Sequence, residues 1–383
     1  MRKVRQTSAQ LNDPITLSHP TSLLDCLRLS LEQGQPAALA TVVGIQGSAP
    51  KPLGSSLLVC SDGSVIGAVS GGCIESEVVS AGERALSTGQ SEVLTFEAAD
   101  GDDPFNTGLT CGGVIQIAVE RVDRELWPLT KDLLDAIDHD QPLMLATRLD
   151  QPGRQLLLTG DSKHGSLSLP NFEAELAANW TRQLTVSCSS EWPSHASLVL
   201  ADDGVQVVTR EFYPRPPLWI FGAIDISQSL ALLARNLGFC VTVCDARAVF
   251  ATEARFPMAD QLICEWPHRW LEKQTITPDT VICVLTHDAK FDLPILKIAL
   301  RSEARYVGAM GSRKTHTDRM NRLLEAGLTQ QELSRLRSPI GLDLGGRSPQ
   351  ETALSILAEV VMLRESRSGR PLLDTQGTIH SSL

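Results

Sequence analysis

Two cysteines in matching glycine surroundings, Gly71-Gly72-Cys73 and Cys111-Gly112-Gly113, are the residues of this chain best suited to chemistry, and 38 positions separate them. Glycine lets the backbone approach a ligand closely and adopt positive φ, so a cysteine beside two glycines can face a ligand next to unshielded N–H groups. The two runs therefore read as a paired thiol site. A free cysteine is also a small core hydrophobe, and that structural reading stands beside the functional one for both.

The surrounding pattern says how such residues would be held. Leu23, Leu24, Leu27 and Leu31 recur at helical spacing, 37–43 reads as a strand, and a glycine-rich loop is expected over 44–54. A hairpin of 56–60 with 65–69 turns at Ser61-Asp62-Gly63, and a helix is expected from Glu75 to about 86. Cys73 thus falls at a strand-to-helix junction, where free amides and the helix dipole favour an anion or a thiolate. Cys111-Gly112-Gly113 precedes a strand over 114–119, so two loops are expected to converge on one mouth. From 125 to 210 a helix over 126–137 and strands at 143–148, 155–159, 184–188 and 206–209 carry no catalytic constellation, and His139 and His164 read as surface residues.

Tyr213-Pro214-Arg215-Pro216-Pro217 reads as a linker between a first domain over 21–212 and a second over 218–365, with a lead-in at 1–20 and a tail at 366–383. The second domain opens as a βαβ unit, with a strand at 218–221, a helix at 226–237 and a strand at 240–245. Gly222 and Asp245 have the spacing of a dinucleotide-binding fingerprint, in which the acid bonds ribose hydroxyls. Ile224 and Ser227 stand where its second glycine and third small residue belong, which weighs against NAD(P). Further strands at 280–285 and 304–307 end in Thr286-His287-Asp288 and Gly308-Ala309-Met310-Gly311-Ser312-Arg313. His287 is a candidate acid/base or hydrogen-bond donor. Gly311, Ser312 and Arg313 offer amides and a guanidinium to a phosphate or pterin phosphate, or simply cap a helix. Ser348-Pro349-Gln350-Glu351 is a capping box that opens a long helix.

The 383 residues, 42% hydrophobic and 21% charged, suffice for two domains with cores of their own. A net charge of −11 would repel a phosphate backbone, and no basic stripe with interleaved aromatics occurs, which excludes nucleic acid as a partner. Nine cysteines without a C-x-x-C pair fit a reducing cytoplasm. Polar residues and prolines follow the basic start where a signal peptide needs an apolar stretch, and no run of 18 apolar residues follows, so no membrane association is expected.

Taken together, Gly47-Ser48-Ala49-Pro50, Gly67 through Glu75, Leu109 through Gly113, Phe239 through Arg247, Arg255-Phe256-Pro257, Thr286-His287-Asp288, Gly308 with Gly311-Ser312-Arg313, and 339–359 resemble the XdhC/CoxI family. The resemblance implies an α/β protein, with an N-terminal mixed α/β domain followed by a Rossmann-like doubly wound parallel sheet. It implies a non-catalytic maturation factor for xanthine dehydrogenase and related molybdenum hydroxylases. Such a factor binds the molybdenum cofactor (molybdopterin), supports its sulfuration by a cysteine desulfurase and delivers it to the apo-enzyme, with a homodimer expected. On this reading Cys73 and Cys111 contact molybdenum or relay sulfur, consistent with soft thiolate chemistry. Residues 70–72 then give N–H groups to the pterin. Ser70, Gly71, Gly72, Glu75, Gly112 and Gly113 complete the site, and Gly222, Asp245, His287, Gly311, Ser312 and Arg313 are candidates in the second domain. Where the family carries Gly-Ala-Gly-His, this chain has Gly222-Ala223-Ile224-Asp225. Two other readings remain open: an NAD(P)-dependent oxidoreductase using His287 and Cys73, or an interaction protein whose Rossmann-like domain has no ligand.

Overall fold

In the computed structural model, residues 23–97, 113–139, 141–160, 162–185, 194–201, 204–286 and 288–376 are described. They divide into two compact units, one reaching Thr185 and including Ser194–Tyr213, the other running on from Pro214.

The first unit begins with α1 (Leu23–Gln33), β1 (Ala37–Gln46), β2 (Ser56–Cys60), β3 (Val65–Gly67), α2 (Glu75–Thr88), β4 (Glu92–Phe96) and β5 (Val114–Val122). It continues with α3 (Thr130–Asp138), β6 (Leu143–Arg148), β7 (Gln155–Thr159), β8 (Lys163–Gly165), α4 (Pro170–Thr185), β9 (Ser194–Leu200) and β10 (Gln206–Phe212). The strands form two antiparallel sheets, ordered β3-β2-β1-β5-β4 and β8-β7-β6-β10-β9. These are one topology used twice, each copy a helix, three strands, a helix and two strands.

The two copies agree at the level of residues. Gly67 and Gly165 both have positive φ, and a Cβ on either would lie 2.3 Å from the carbonyl oxygen of the first residue of the neighbouring strand, Ser56 or Gln155. Leu23 and Leu129 fill the same place beside them. Thr41 and Thr147, both buried, accept hydrogen bonds from Ser56 (3.2 Å) and Gln155 (3.5 Å). Glu120 pairs with Leu39 across β5 and β1, as Arg210 pairs with Leu145 across β10 and β6. These two equivalent positions carry opposite charges and form a buried ion pair with each other, with Thr41 3.4 Å from the guanidinium.

Local differences from the sequence reading have physical causes. β1 continues to Gln46 instead of yielding to a loop at Gly44, because a register shift between Val42 and Gly44 absorbs the glycine; a Cβ there would meet the Gln116 side chain at 2.5 Å. The strand expected at 184–188 is replaced, as far as Thr185, by α4, whose Phe172, Leu176 and Trp180 repeat every four residues and are buried against the second sheet. Residues 186–188 lie outside the described residues. The helix expected from 126 starts at Thr130, and Pro217 opens the next strand instead of closing the linker.

The second unit is built from β11 (Pro217–Phe221), α5 (Asp225–Asn236), β12 (Cys240–Cys244), β13 (Gln261–Ile263), α6 (Pro267–Leu271), β14 (Val281–Val284), α7 (Ala289–Ala299), β15 (Tyr306–Ala309), α8 (Arg313–Glu325), α9 (Gln330–Leu333), β16 (Leu336–Arg337) and α10 (Pro349–Arg364). All six strands are parallel, in the order β13-β12-β11-β14-β15-β16, which is the doubly wound dinucleotide-fold order. Alternate residues of β11 serve separate cores: Leu218 and Ile220 pack with α5 and α10, whereas Trp219 and Phe221 pack with α6 and α7. Ser348 and Glu351 form the expected capping box of α10.

Two stability predictions follow from the first unit. Glu120→Ala leaves the Arg210 charge buried without its partner and is expected to lower unfolding stability by about 3–5 kcal/mol in urea titrations, whereas Glu120→Leu with Arg210→Met costs less. Glu173, in the first turn of α4, is pushed up by burial, but the Lys163 ammonium, the Ser166 hydroxyl and backbone amides outweigh this and hold its carboxyl at about 2. A depressed carboxylate stabilises the fold above its unfolded titration range, and that stability is lost as pH falls toward 2. Melting curves between pH 5 and pH 2 should therefore fall more steeply for the native chain than for Glu173→Gln.

Candidate functional site

Sheet register decides which loops meet in the first unit. Gln46 pairs with Val114, Thr41 with Ser56, Leu57 with Gly67, and Phe96 with Ile115. The ends of β1, β3 and β4 and the starts of β2 and β5 therefore all lie at one end of the sheet. From that end leave the 47–55 loop, the 68–74 loop with Cys73, and the segment that returns at Gly113. Gly113 fits there only as glycine, since a Cβ would sit 2.2 Å from the Ser48 carbonyl oxygen and 2.7 Å from that of Gln46. Cys111 and Gly112 lie outside the described residues.

The Cys73 loop is held from within. Glu75, the first residue of α2, accepts from the Ser70 amide (2.8 Å) and hydroxyl (2.5 Å). Burial acts to raise the Glu75 carboxyl, and these hydrogen bonds outweigh it, leaving the group below its ordinary range. The Ser70 hydroxyl accepts from the Gly72 amide at 3.1 Å and from the Cys73 thiol at 3.6 Å. Two of the three amides expected to serve a pterin, Ser70 and Gly72, are thus engaged by the loop itself. Those of Gly71 and Cys73 have no partner among the described residues. Gly71 and Gly72 are exposed, among the described residues nothing beyond their chain neighbours lies within 4 Å of where a Cβ would stand, and Gly72 has φ +113°. Cys73 is half-buried, its side chain against the core that includes Ile74 and Val78. Ile74 supplies no side-chain cap to α2, and Glu75 and Glu77 occupy its first turn, so the helix dipole expected to favour an anion is answered by the chain's own carboxylates.

The internal copy separates scaffold from site. In the second module Ser166 and the Leu167 amide donate to Glu173, at 2.7 and 2.8 Å, as Ser70 donates to Glu75. The glutamate that ties down the strand-to-helix loop is therefore shared by both modules and reads as structural. Gly71, Gly72 and Cys73 have no counterpart in 166–169, and β9 and β10 are joined by only 201–205 where β4 and β5 are joined by 97–113. What the first module has alone is the glycine-cysteine equipment.

In the second unit Gly222, Asp245 and Ser312 are engaged by their own surroundings. A Cβ on Gly222 would lie 3.0–3.1 Å from Thr286, so the glycine accommodates the neighbouring strand end. Asp245 accepts from the Ala223 amide (2.8 Å), the Arg247 amide (2.9 Å) and two guanidinium nitrogens of Arg247 (3.0 and 2.9 Å). Burial would raise its carboxyl, and Arg247 with Ala223 holds it low. Ser312 caps α8 by accepting from the Thr315 amide at 3.1 Å, with Gly311 at positive φ before it and Arg313 exposed. His287 lies outside the described residues. Sequence reasoning missed Arg255, which donates to the Ala223 carbonyl at 3.1 Å and pairs with Asp225 at 3.2 Å. It also missed the buried Arg319–Asp292 pair, which binds the Met310 carbonyl and Ser338. No local spacing signals the Arg255–Ala223 or the Arg319–Asp292 contact, which span 32 and 27 residues.

Residues 218–360 match the XdhC Rossmann domain, and residues 30–97 match the XdhC and CoxI family. Over 349 residues the chain is 29% identical to a Bacillus subtilis protein named as a probable xanthine dehydrogenase subunit, covering 90% of this chain and 97% of that one. It is 27% identical to the molybdenum cofactor insertion chaperone PaoD of Escherichia coli, covering 88% and 86% of the two chains. A solved structure described as a xanthine dehydrogenase from Bacillus halodurans superposes with a TM-score of 0.71 at 26% identity, covering 90% of this chain and 96% of that one.

The three glycines should respond differently to alanine. Gly71→Ala is expected to leave unfolding stability within about 0.5 kcal/mol of the native chain. Gly72→Ala should cost about 1–2 kcal/mol from its positive φ, and Gly113→Ala should cost most, because backbone oxygens block the new methyl. Urea unfolding of the three variants checks the order.

Proposed function

The chain belongs to the XdhC and CoxI family, and from that premise we propose that it is a maturation factor that carries the molybdenum cofactor on its first unit and delivers it to a molybdenum hydroxylase. The observation that carries this reading is the exposed Gly71-Gly72 turn presenting Cys73, found in the first module and missing from its internal counterpart. The cofactor is cargo, and the loop's chemistry suits it. A thiol is a soft donor matched to a metal that arrives with sulfur ligands of its own, and the amides of Gly71 and Cys73 are available to hydrogen-bond a pterin or its phosphate. Among the described residues no group of three His, Cys, Asp or Glu is gathered to hold a metal. A thiol from this loop suits a carrier that adds ligands to a metal its cargo already holds.

Cys111 completes the thiol pair in this proposal, the two acting as molybdenum contacts or as a sulfur relay. Sulfuration by a cysteine desulfurase and assembly as a homodimer belong to the same reading. The named function of the Escherichia coli relative, cofactor insertion, supports it. Among the described residues no helix is long and apolar enough to cross a membrane, and the reading places the carrier in the cytoplasm beside its client.

The test is retention. Native chain incubated with molybdenum cofactor and passed through a desalting column should keep molybdenum and pterin fluorescence near one equivalent. Cys73→Ser, alone or with Cys111→Ser, should weaken retention by about tenfold or more. Equal retention by the variants removes the thiols from the mechanism, and no retention by the native chain overturns the carrier function itself.

A further inference from the structure

The second unit keeps a cleft of about 540 Å³ at the C-terminal ends of β12 and β14, lined by Ile224, Arg247, Pro267, Asp288, Lys290 and Phe291 among others. This is where doubly wound sheets place ligands, and the volume suits a small molecule. The groups that would recognise the phosphates of a dinucleotide are, however, taken by the chain itself.

On the phosphate side, Ile224 puts a branched side chain where a pyrophosphate needs bare backbone. Asp225 sets a carboxylate in the first turn of α5, where a phosphate would draw on the helix dipole. Arg255 spans the turn, held by the Ala223 carbonyl, the Asp225 carboxylate and the Phe250 carbonyl at 3.1–3.2 Å. Ser227 closes the turn from below by donating to the Gly222 carbonyl at 2.5 Å. On the ribose side, both oxygens of Asp245 already accept two hydrogen bonds each.

What remains open is charge-balanced and partly apolar. The charged groups among the described lining residues are paired, Asp245 with Arg247 and Asp288 with Lys290, both at 2.9 Å. Phe291 forms one wall, its ring 5.2 Å from that of Trp266, and Ile224 and Pro267 add apolar surface. Among the described lining residues no unmatched positive charge is present to hold a phosphate, and Phe291, half-buried with the Lys290 ammonium 4.8 Å from its ring centroid, gives the wall an aromatic surface for a flat ring to pack against.

We infer that this cleft binds an uncharged heterocycle of nucleoside type and does not recognise phosphates, with Ile224, Asp225 and Arg255 as the residues that set this preference. The inference concerns the second unit alone and stands apart from the cofactor-carrier reading of the first.

Calorimetric titration of the full chain with adenosine and with ADP tests it. The native chain should bind the two with dissociation constants within about threefold of each other, and Phe291→Ala should weaken adenosine by about fivefold or more. Asp225→Asn, at an exposed position, should strengthen ADP by about tenfold while leaving adenosine unchanged. Ile224→Gly with Asp225→Asn should strengthen ADP further. ADP binding tenfold tighter than adenosine in the native chain, saturation by neither probe, or no gain in ADP affinity in Asp225→Asn would overturn the inference.

Discussion

Backbone pairing along β1 is the constraint on which the candidate site depends. With β2 on one side and β5 on the other, both antiparallel, every loop that carries chemistry in the first module must leave from the same end of the sheet. Gly113 is locked under Ser48 and Gln46 by that pairing, because only a residue without a Cβ passes so close to two carbonyl oxygens. The register also explains the bulge between Val42 and Gly44, which lets β1 run on far enough to reach Val114. Both faces of β1 are buried from Ala37 to Val43, so a shift of the pairing by one residue would exchange the side chains of two cores, one of them the core on which Cys73 rests.

The doubling of the module gives an internal control on what the site needs. Both copies use a glycine at the end of the third strand, a buried threonine on the first, and a glutamate that collects the hydrogen bonds of the strand-to-helix loop. Because the second copy keeps all of this and has no cysteine in its loop, those features answer to folding. The ion pair of Glu120 with Arg210 makes the same point electrostatically. Equivalent positions in two identical modules would bring like charges together, so the pair requires the copies to differ there, and a buried like-charge contact would be untenable.

Much of this was legible in the sequence, and the remainder was hidden for identifiable reasons. The βαβ start of the second unit, the helix beginning at Glu75 and the capping box at Ser348 follow from local periodicity and cap chemistry, which act over a few residues. The duplication left only a short trace, Gln35-Pro36 and Leu39-Ala40-Thr41 recurring as Gln141-Pro142 and Leu145-Ala146-Thr147; elsewhere Glu120 matches Arg210 and Ser56 matches Gln155, so most of the repeat shows in register and glycine positions. The strand expected from 184 gives way to helix as far as Thr185 because the burial of Trp180 and Leu176 against a sheet overrides the local alternation in Gln183-Leu184-Thr185. The site itself was half legible. Glycine and cysteine types located the loop, but the capture of the Ser70 and Gly72 amides by Glu75 and Ser70 could be seen only once the loop's geometry was known.

The second unit carries this lesson into recognition. Gly222 and Asp245 have fingerprint spacing, yet in the folded chain the first is a glycine because Thr286 stands against it, and the second is an aspartate because Ala223 and Arg247 need an acceptor. The same two residues would look identical in a linear reading whether they served a ligand or the fold. What distinguishes the cases is the satisfaction of their hydrogen-bonding capacity. A carboxylate with four donors already in place has no lone pair to offer a ribose, and a helix start that holds its own carboxylate has little field left for a phosphate. Spacing in this chain therefore specifies the sheet order, and the ligand must be inferred from the polar groups that the fold leaves unused.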